Sequence, residues 1–95
     1  MPTNRTIVIT FGYHHGEPPP SDYVVDLRDV ADDDYLIWEK VAKHIIENVE
    51  PGTVIALGCH DGDDRSVHIS KLIQKYMPDV VTVDRDLSPE AGKKD

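Results

Sequence analysis

The hydrophobic residues of the chain fall into four short, β-branched runs and two longer stretches with helical spacing. The short runs lie at residues 6–10, 23–27, 53–57 and 80–83. They show little polar alternation, which is typical of strands covered on both faces. In the longer stretches, which end near Asn48 and Met77, apolar residues recur every three or four positions. The pattern therefore predicts strands that alternate with helices.

Capping signals mark the predicted helices. Three aspartates at 32–34 offer N-caps for the first helix, and their negative charges suit a helix start. Its predicted buried positions are Ile37, Trp38, Val41, Ala42, Ile45, Ile46 and Val49. Those of the second helix are Ile69, Leu72, Ile73, Tyr76 and Met77. We expect Trp38 and Tyr76 to lie in the core or at an interface.

This order of elements predicts an α/β fold: a mostly parallel sheet of about four strands with two main helices. Residues 1–95 are expected to form one small domain whose tail, 88–95, is disordered. Ligands of such sheets bind outside the carboxyl ends of the strands. Polar residues follow the predicted strands at 11–16, 26–28, 58–66 and 84–86. We expect these four clusters to face one crevice.

The charge balance argues against nucleic acid as a direct partner. Ten Lys and Arg residues against eighteen Asp and Glu give a net charge of −8, and basic residues cluster only at Lys93 and Lys94. No apolar run approaches a membrane span, and residues 1–5 do not resemble a signal peptide. With a single cysteine, the chain is expected to be cytoplasmic.

The stretch 58–66 joins a predicted strand to a predicted helix and holds a cysteine, five residues and an arginine. Backbone N–H groups of such a turn and the helix N-terminus favour an anion. Arg65 could grip a phosphate, and Cys59 could be the nucleophile of a cysteine-dependent phosphatase. Position 58 is glycine, however, where such phosphatases usually carry a histidine. The loop's three aspartates also oppose both a thiolate and a phosphate, so we favour binding over catalysis.

Other side chains of these clusters have alternative roles. Arg65 could pair with Asp63, Asp64 or Asp86 instead of a ligand. Ser66 is predicted to be a helix N-cap. Asp26 and Arg28 could form an ion pair or a wall of the ligand site. The histidines and the cysteine invite a divalent-metal interpretation, but no spacing matches a closed metal site. We therefore predict no metal and no cofactor. The possible ligands are His14, His15, His60, His68 and Cys59, with the loop aspartates Asp61, Asp63 and Asp64, whose charge a divalent cation would neutralise.

Four blocks of the chain resemble, in the same order, the C-terminal domain of the RapZ (RNase adapter protein) family. Residues 9–16, ITFGYHHG, resemble its ITSFGFKYG stretch, and residues 26–28 resemble its DVR block. The loop from Gly58 to Val67 resembles its GCTGGxHRSV loop, and residues 84–87 resemble its HRDL block. This sequence differs in carrying Asp64 and Asp84 where those blocks have histidines, and in having a shorter basic tail.

The resemblance implies an α/β domain that binds a small phosphorylated or anionic metabolite, which in RapZ is glucosamine-6-phosphate. It also implies self-association and, in that family, RNA binding. RapZ's N-terminal nucleotide-binding domain is expected to be absent here. Carried over by position, the implied ligand-binding residues are Gly12, Gly16, Asp26, Arg28, Cys59, Gly62, Arg65 and Ser66. His14 and His60, which lie in the same blocks, are also predicted to be ligand-binding residues.

Three functional hypotheses follow. The first is a regulatory module that binds a phosphorylated sugar or another small anion at 58–66 and reports it to a protein partner. The second is a phosphatase with Cys59 and Arg65 as catalytic residues. The third is an acidic interaction protein, of phage or accessory origin, that binds a host protein. The exposed edges of a narrow sheet also make a homodimer plausible.

Overall fold

The computed structural model describes residues 5–30, 34–62 and 65–86 of the chain. These residues form strands β1 (Ile7–Gly12), β2 (Tyr23–Asp26), β3 (Val54–Cys59) and β4 (Val81–Asp84) and helices α1 (Tyr35–Asn48) and α2 (Arg65–Tyr76). A short 3-10 helix at Tyr13–His15 follows β1. The strands pair in parallel in the order β2-β3-β1-β4. The predicted class, an α/β domain with four parallel strands and two helices, is confirmed.

The two faces of this sheet are covered differently. The connections through α1 and α2 both move across the sheet in the same direction, from β2 to β3 and from β3 to β4. Right-handed crossovers therefore place both helices on one face, where they pack against each other. The connection from β1 to β2 moves in the opposite direction and consists of residues 13–22, including three successive prolines. The same rule places this connection on the other face.

The hydrophobic core lies between the sheet and the two helices. It includes Val8, Ile55, Leu57, Trp38, Ala42, Ile45, Ile69 and Ile73, each no more than 5% exposed. Fully burying one such aliphatic side chain stabilises the fold by about 1.5–3 kcal/mol. The helical spacing predicted most of this set. Ile37 is an exception, since it is 40% exposed at the start of α1, and Tyr76 is exposed while its hydroxyl donates to Glu39.

Several element boundaries differ from the prediction. Strands β1 and β3 continue two residues further than expected, to Gly12 and Cys59. Helix α2 begins at Arg65, so Ser66 lies within its first turn and the prediction that Ser66 is the N-cap is wrong. Asp34 caps α1, because its Oδ1 accepts a hydrogen bond of 3.2 Å from the amide of Ile37.

Two expectations concern residues that the structure does not describe. The remaining predicted caps of α1, at 32 and 33, and the tail 88–95 lie outside the described residues. Within the described ranges, none of the helices combines the length and apolar character that a bilayer crossing demands.

Candidate functional site

Backbone hydrogen bonds join the exits of all four strands at the carboxyl edge of the sheet. The amide of His14, after β1, donates to the carbonyl of His60, after β3, at 2.9 Å. The amide of Leu27, after β2, donates to Gly58 at 2.7 Å, and that of Arg85, after β4, donates to Thr10 at 2.9 Å. The polar clusters that follow the strands therefore meet at one edge. They form two halves, which differ in whether the hydrogen-bond donors are satisfied within the described residues.

In the half formed by β1 and β4, backbone packs directly on backbone. A Cβ atom on Gly12 would lie 2.3 Å from the carbonyl carbon of Asp61. A Cβ atom on Gly62 would lie 2.6 Å from the Gly12 nitrogen, and Gly62 has φ +77°, which favours glycine. Gly12 was predicted to shape a wall of the ligand site. Its backbone instead lies in contact with the loop, which leaves no room there for a side chain.

A carboxylate of the protein itself occupies the end of this half. Asp86 Oδ2 accepts the Gly12 amide at 2.8 Å and pairs with Arg85 Nη2 at 2.8 Å. The hydrogen bonds from the Arg85 guanidinium, followed by the Gly12 amide, hold the pKa of Asp86 below its ordinary value. Arg85 also donates to the Glu17 carbonyl at 2.7 Å and lies over the Phe11 ring. We call this cluster, Gly12, Gly62, Arg85 and Asp86, the closed half of the edge.

In the half formed by β2 and β3, Arg28 is held on two sides. Its Nε and Nη2 donate to the two oxygens of Asp26 at 3.0 and 2.7 Å, and its guanidinium lies 3.8 Å from the centroid of the Tyr13 ring. The hydrogen bonds from Arg28 lower the pKa of Asp26. Burial, with the charge of Asp26, raises the pKa of Tyr13. The ion-pair alternative for Asp26 and Arg28 is thus present, with 42% of the Arg28 side chain exposed.

Tyr13 is the residue that sequence reasoning missed. Its ring spans the end of β3 because Gly58 has no side chain: a Cβ there would lie 2.7 Å from Tyr13 Cε2 and 2.3 Å from Phe11 Cζ. The Phe11 and Tyr13 rings meet edge to face at a centroid distance of 4.9 Å. An aromatic residue two positions after Phe11, facing the glycine that precedes the cysteine, was the available signal.

Cys59 lies at the end of β3 and is only 2% exposed. The Gly62 amide donates to its sulfur at 3.2 Å, and the Ser66 hydroxyl lies 3.2 Å from the same atom. Ser66 is fully buried in the first turn of α2. The loop therefore directs an amide and a hydroxyl at one point, as an anion requires, and that point is occupied by the sulfur.

Arg65 is directed away from the predicted aspartate partners that the structure describes. Its Nη1 donates to the carbonyls of Arg28 and Val30 at 3.1 and 2.5 Å, in the connection that leaves β2. Its Nε is buried and has no hydrogen-bond partner among the described residues. A buried donor left unsatisfied costs about 1–3 kcal/mol, so such a group calls for a partner. We call Arg65, Arg28 and Cys59, with their neighbours Asp26, Tyr13 and Ser66, the open half.

The aspartates and the remaining predicted residues have other neighbours. The predicted pairing of Arg65 with Asp86 is wrong, because Asp86 bonds Arg85 and Gly12. Asp63 and Asp64 lie outside the described residues. Asp61 Oδ1 accepts a hydrogen bond from His14 Nδ1 at 2.8 Å, and both side chains are largely exposed.

Two predicted residues lie at the margin. Gly16 is exposed, with φ +145°, and faces the Arg85 side chain in the closed half. His60 is exposed, and its ring lies 5.4 Å from the His14 ring. Over residues 5–30, 34–62 and 65–86, no three His, Cys, Asp or Glu side chains are grouped so that they could hold a metal ion.

Comparison with known proteins gives limited similarity. No family model matches the chain. A "Nucleotide-binding protein" of Corynebacterium glutamicum (strain R) is 27% identical over an alignment of 114 positions, gaps included, that covers 86% of the chain. The chain spans 37% of the length of that relative. The similarity supports kinship with a nucleotide-binding type of protein, and the narrower resemblance to RapZ stays a prediction.

Proposed function

We propose that the protein is a binding module that holds a small anion, of the phosphorylated-sugar class, at the open half of the carboxyl edge. Arg65 is the principal binding group in this proposal. Arg28 and the first turn of α2 contribute positive potential, since an α-helix carries partial positive charge at its N-terminus.

The observation that carries the proposal is the buried, unsatisfied Nε of Arg65. With Nη1 fixed on the carbonyls of Arg28 and Val30, Nε is the donor left for another acceptor, and it shares one edge of the guanidinium with Nη2. That edge suits a phosphate or carboxylate, which accepts two parallel hydrogen bonds. A bound oxyanion would satisfy the donor that the described part of the chain leaves without a partner.

The relative supports the same class of ligand. A nucleotide carries phosphate, and the relative is called a nucleotide-binding protein. For this chain we propose phosphate recognition as the shared property. The sugar or other group attached to the phosphate is left to the experiment.

Thermal unfolding in the presence of phosphate, sulfate and sugar phosphates tests the proposal. A ligand at about 100 times its Kd stabilises the folded state by about 2.7 kcal/mol, so binding raises the unfolding temperature. We expect this rise in the wild type and in Arg5→Ala, since Arg5 is exposed at the opposite edge of the sheet, before β1. We expect its loss in Arg65→Ala. An equal rise in all three proteins would refute the assignment to Arg65.

A second candidate is the cysteine-dependent phosphatase, which one observation favours. The Gly62 amide and the Ser66 hydroxyl both lie 3.2 Å from the Cys59 sulfur, and donors so placed stabilise a thiolate. Turnover of an aryl phosphate, abolished in Cys59→Ser while anion stabilisation persists, would establish this activity. Absence of turnover near neutral pH would exclude the phosphatase and leave the binding module as the remaining candidate.

The proposal includes self-association or a protein partner as the means by which the bound anion is reported. Strands β2 and β4 are the edges of the sheet, and each exposes a valine, Val24 at 49% and Val83 at 46%. We expect pairing of copies along one of these edges. Sedimentation of the wild type against Val24→Lys and Val83→Lys tests it: a monomeric wild type would refute the homodimer.

A further inference from the structure

Arg65 connects two parts of the molecule that are distant in the chain. It begins α2, yet its Nη1 donates to the carbonyls of Arg28 and Val30, which are 37 and 35 positions earlier. A guanidinium is a rigid plane, so the direction of Nη1 fixes the direction of Nε and Nη2. Any group that binds the Nε edge therefore also constrains the bonds that Nη1 makes.

We propose that Arg65 transmits occupancy of the anion site to the connection between β2 and α1. An oxyanion on the Nε edge holds the guanidinium plane, and the plane then holds the carbonyls of Arg28 and Val30 more firmly. This inference rests on the proposed function, because it requires an anion at Arg65. It goes beyond that function by naming the segment whose conformation responds to binding.

The segment that Arg65 contacts is a short turn in which Leu27 is buried in the core, Val30 packs against that core and the amide of Arg28 donates to Asp26. The amide of Val30 donates to the Leu27 carbonyl at 3.1 Å, and the amide of Leu27 anchors the turn to β3 through Gly58 at 2.7 Å. Because the Val30 carbonyl is bonded to Arg65, a firmer Arg65 makes opening of this turn less frequent.

This connection leads into the most exposed apolar residues of α1. Tyr35 is 62% exposed and Leu36 is 74% exposed, one and two residues after the cap Asp34. In this proposal, occupancy of the site is read out at this start of α1, which follows the turn in the chain.

Coupling of this kind is reciprocal, so a change that loosens the turn must also lower the affinity of the site for the anion. Asp29 lies in this turn and is exposed. The hydrogen bonds that Arg65 makes to the turn go to the carbonyls of Arg28 and Val30 and do not involve Asp29. Asp29→Gly raises the conformational freedom of the turn, and Asp29→Ala, which removes the same charge without adding that freedom, is its control. We expect the Kd for inorganic phosphate to be severalfold higher in Asp29→Gly than in Asp29→Ala. Equal Kd values in the two variants would overturn the coupling.

Amide hydrogen exchange of the full chain, with and without saturating inorganic phosphate, measures the coupling directly. We expect phosphate to slow exchange at Val30 by a larger factor than at Met77, whose amide donates to Ile73 at the far end of α2. Equal slowing at both amides would show only global stabilisation and would overturn the inference. Arg65→Lys, which keeps the charge but lacks the fork, should lose the excess slowing at Val30.

The possible failures are distinguishable. If phosphate stabilises the wild type through Arg65 but leaves no excess protection at Val30, the coupling fails and the proposed function stands. If phosphate does not stabilise the protein, or if its stabilising effect is the same without Arg65, the proposed function fails and the coupling fails with it. Should Arg65→Lys not fold, the Kd of Asp29→Gly relative to that of Asp29→Ala decides between coupling and its absence.

Discussion

The two halves of the carboxyl edge satisfy their polar groups in different ways. In the closed half, the Gly12 amide and the Arg85 guanidinium are both bonded by the Asp86 carboxylate. In the open half, Arg65 bonds two carbonyls with Nη1 and keeps a buried Nε without a partner among the described residues. One half thus contains its own anion, and the other has a donor suited to an external one. We therefore expect substitutions in the closed half to affect mainly stability, and we propose the open half as the place of binding.

The largest expected effect is steric, in the closed half. Gly12→Ala would place Cβ 2.3 Å from the Asp61 backbone, so β1 and the loop must separate. We expect a loss of stability above about 3 kcal/mol, beyond the usual range of single substitutions. Gly16→Ala is the matched control, because its Cβ would lie 3.7 Å from its nearest neighbour and only its φ of +145° is unfavourable. Urea unfolding of both variants would contradict the account if Gly16→Ala were the more damaging.

The next effect is electrostatic and depends on pH. The folded-state pKa of Asp86 is lowered, chiefly by hydrogen bonds from Arg85. Its contribution to stability is therefore complete above the unfolded pKa, about 3.9, and is lost as the pH falls through the lower folded pKa. We expect Asp86→Asn to cost about 1.5 kcal/mol at neutral pH. The variant should also lose less stability than the wild type between neutral pH and acid.

Denaturant titrations at several pH values measure this difference. Asp79→Asn serves as the control, because Asp79 is exposed and no hydrogen bond to it is present among the described residues. If the acid sensitivity of Asp86→Asn and Asp79→Asn were the same, the Asp86 carboxylate would not be the group that secures the closed half.

The smallest expected effect on stability is in the open half. Arg28 is exposed and its bond to Asp26 is a surface ion pair, a kind that contributes little to folding. We expect Arg28→Ala to unfold at nearly the wild-type temperature but to bind phosphate more weakly. A large loss of stability with unchanged phosphate binding would reverse the roles assigned to the two halves.

Local patterns predicted the fold well because the elements are defined by local chemistry. The β-branched runs indicated the strands, and the spacing of Trp38, Ala42 and Ile45 indicated the buried face of α1. The strand ends were predicted too short, since Gly12 and Gly58 were interpreted as turn residues. Both are glycines because neighbouring backbone or rings fill the space of a side chain. That requirement depends on tertiary packing and has no local signature.

The candidate site was predicted only in part for the same reason. The anion-binding role of the loop 58–66 stays a prediction. The pairing of Asp26 with Arg28, one of two alternatives from the sequence, is present, since residues two apart at a strand end lie on one side. The partners of Arg65 could not be predicted, because every residue has a backbone carbonyl and the sequence does not indicate which of them a side chain will bond. Asp86 was an equally reasonable partner until the geometry showed it bonded to Gly12.

The most direct test of the central claim is the NMR signal of the Arg65 Nε–H during a phosphate titration. The chain has four arginines, Arg5, Arg28, Arg65 and Arg85, so the Nε–H signals are few and Arg→Lys variants assign them. The account predicts a saturable shift of the Arg65 signal, with the Arg85 signal unmoved because Asp86 already bonds that side chain. An unmoved Arg65 signal, with shifts spread over the exposed arginines instead, would contradict it.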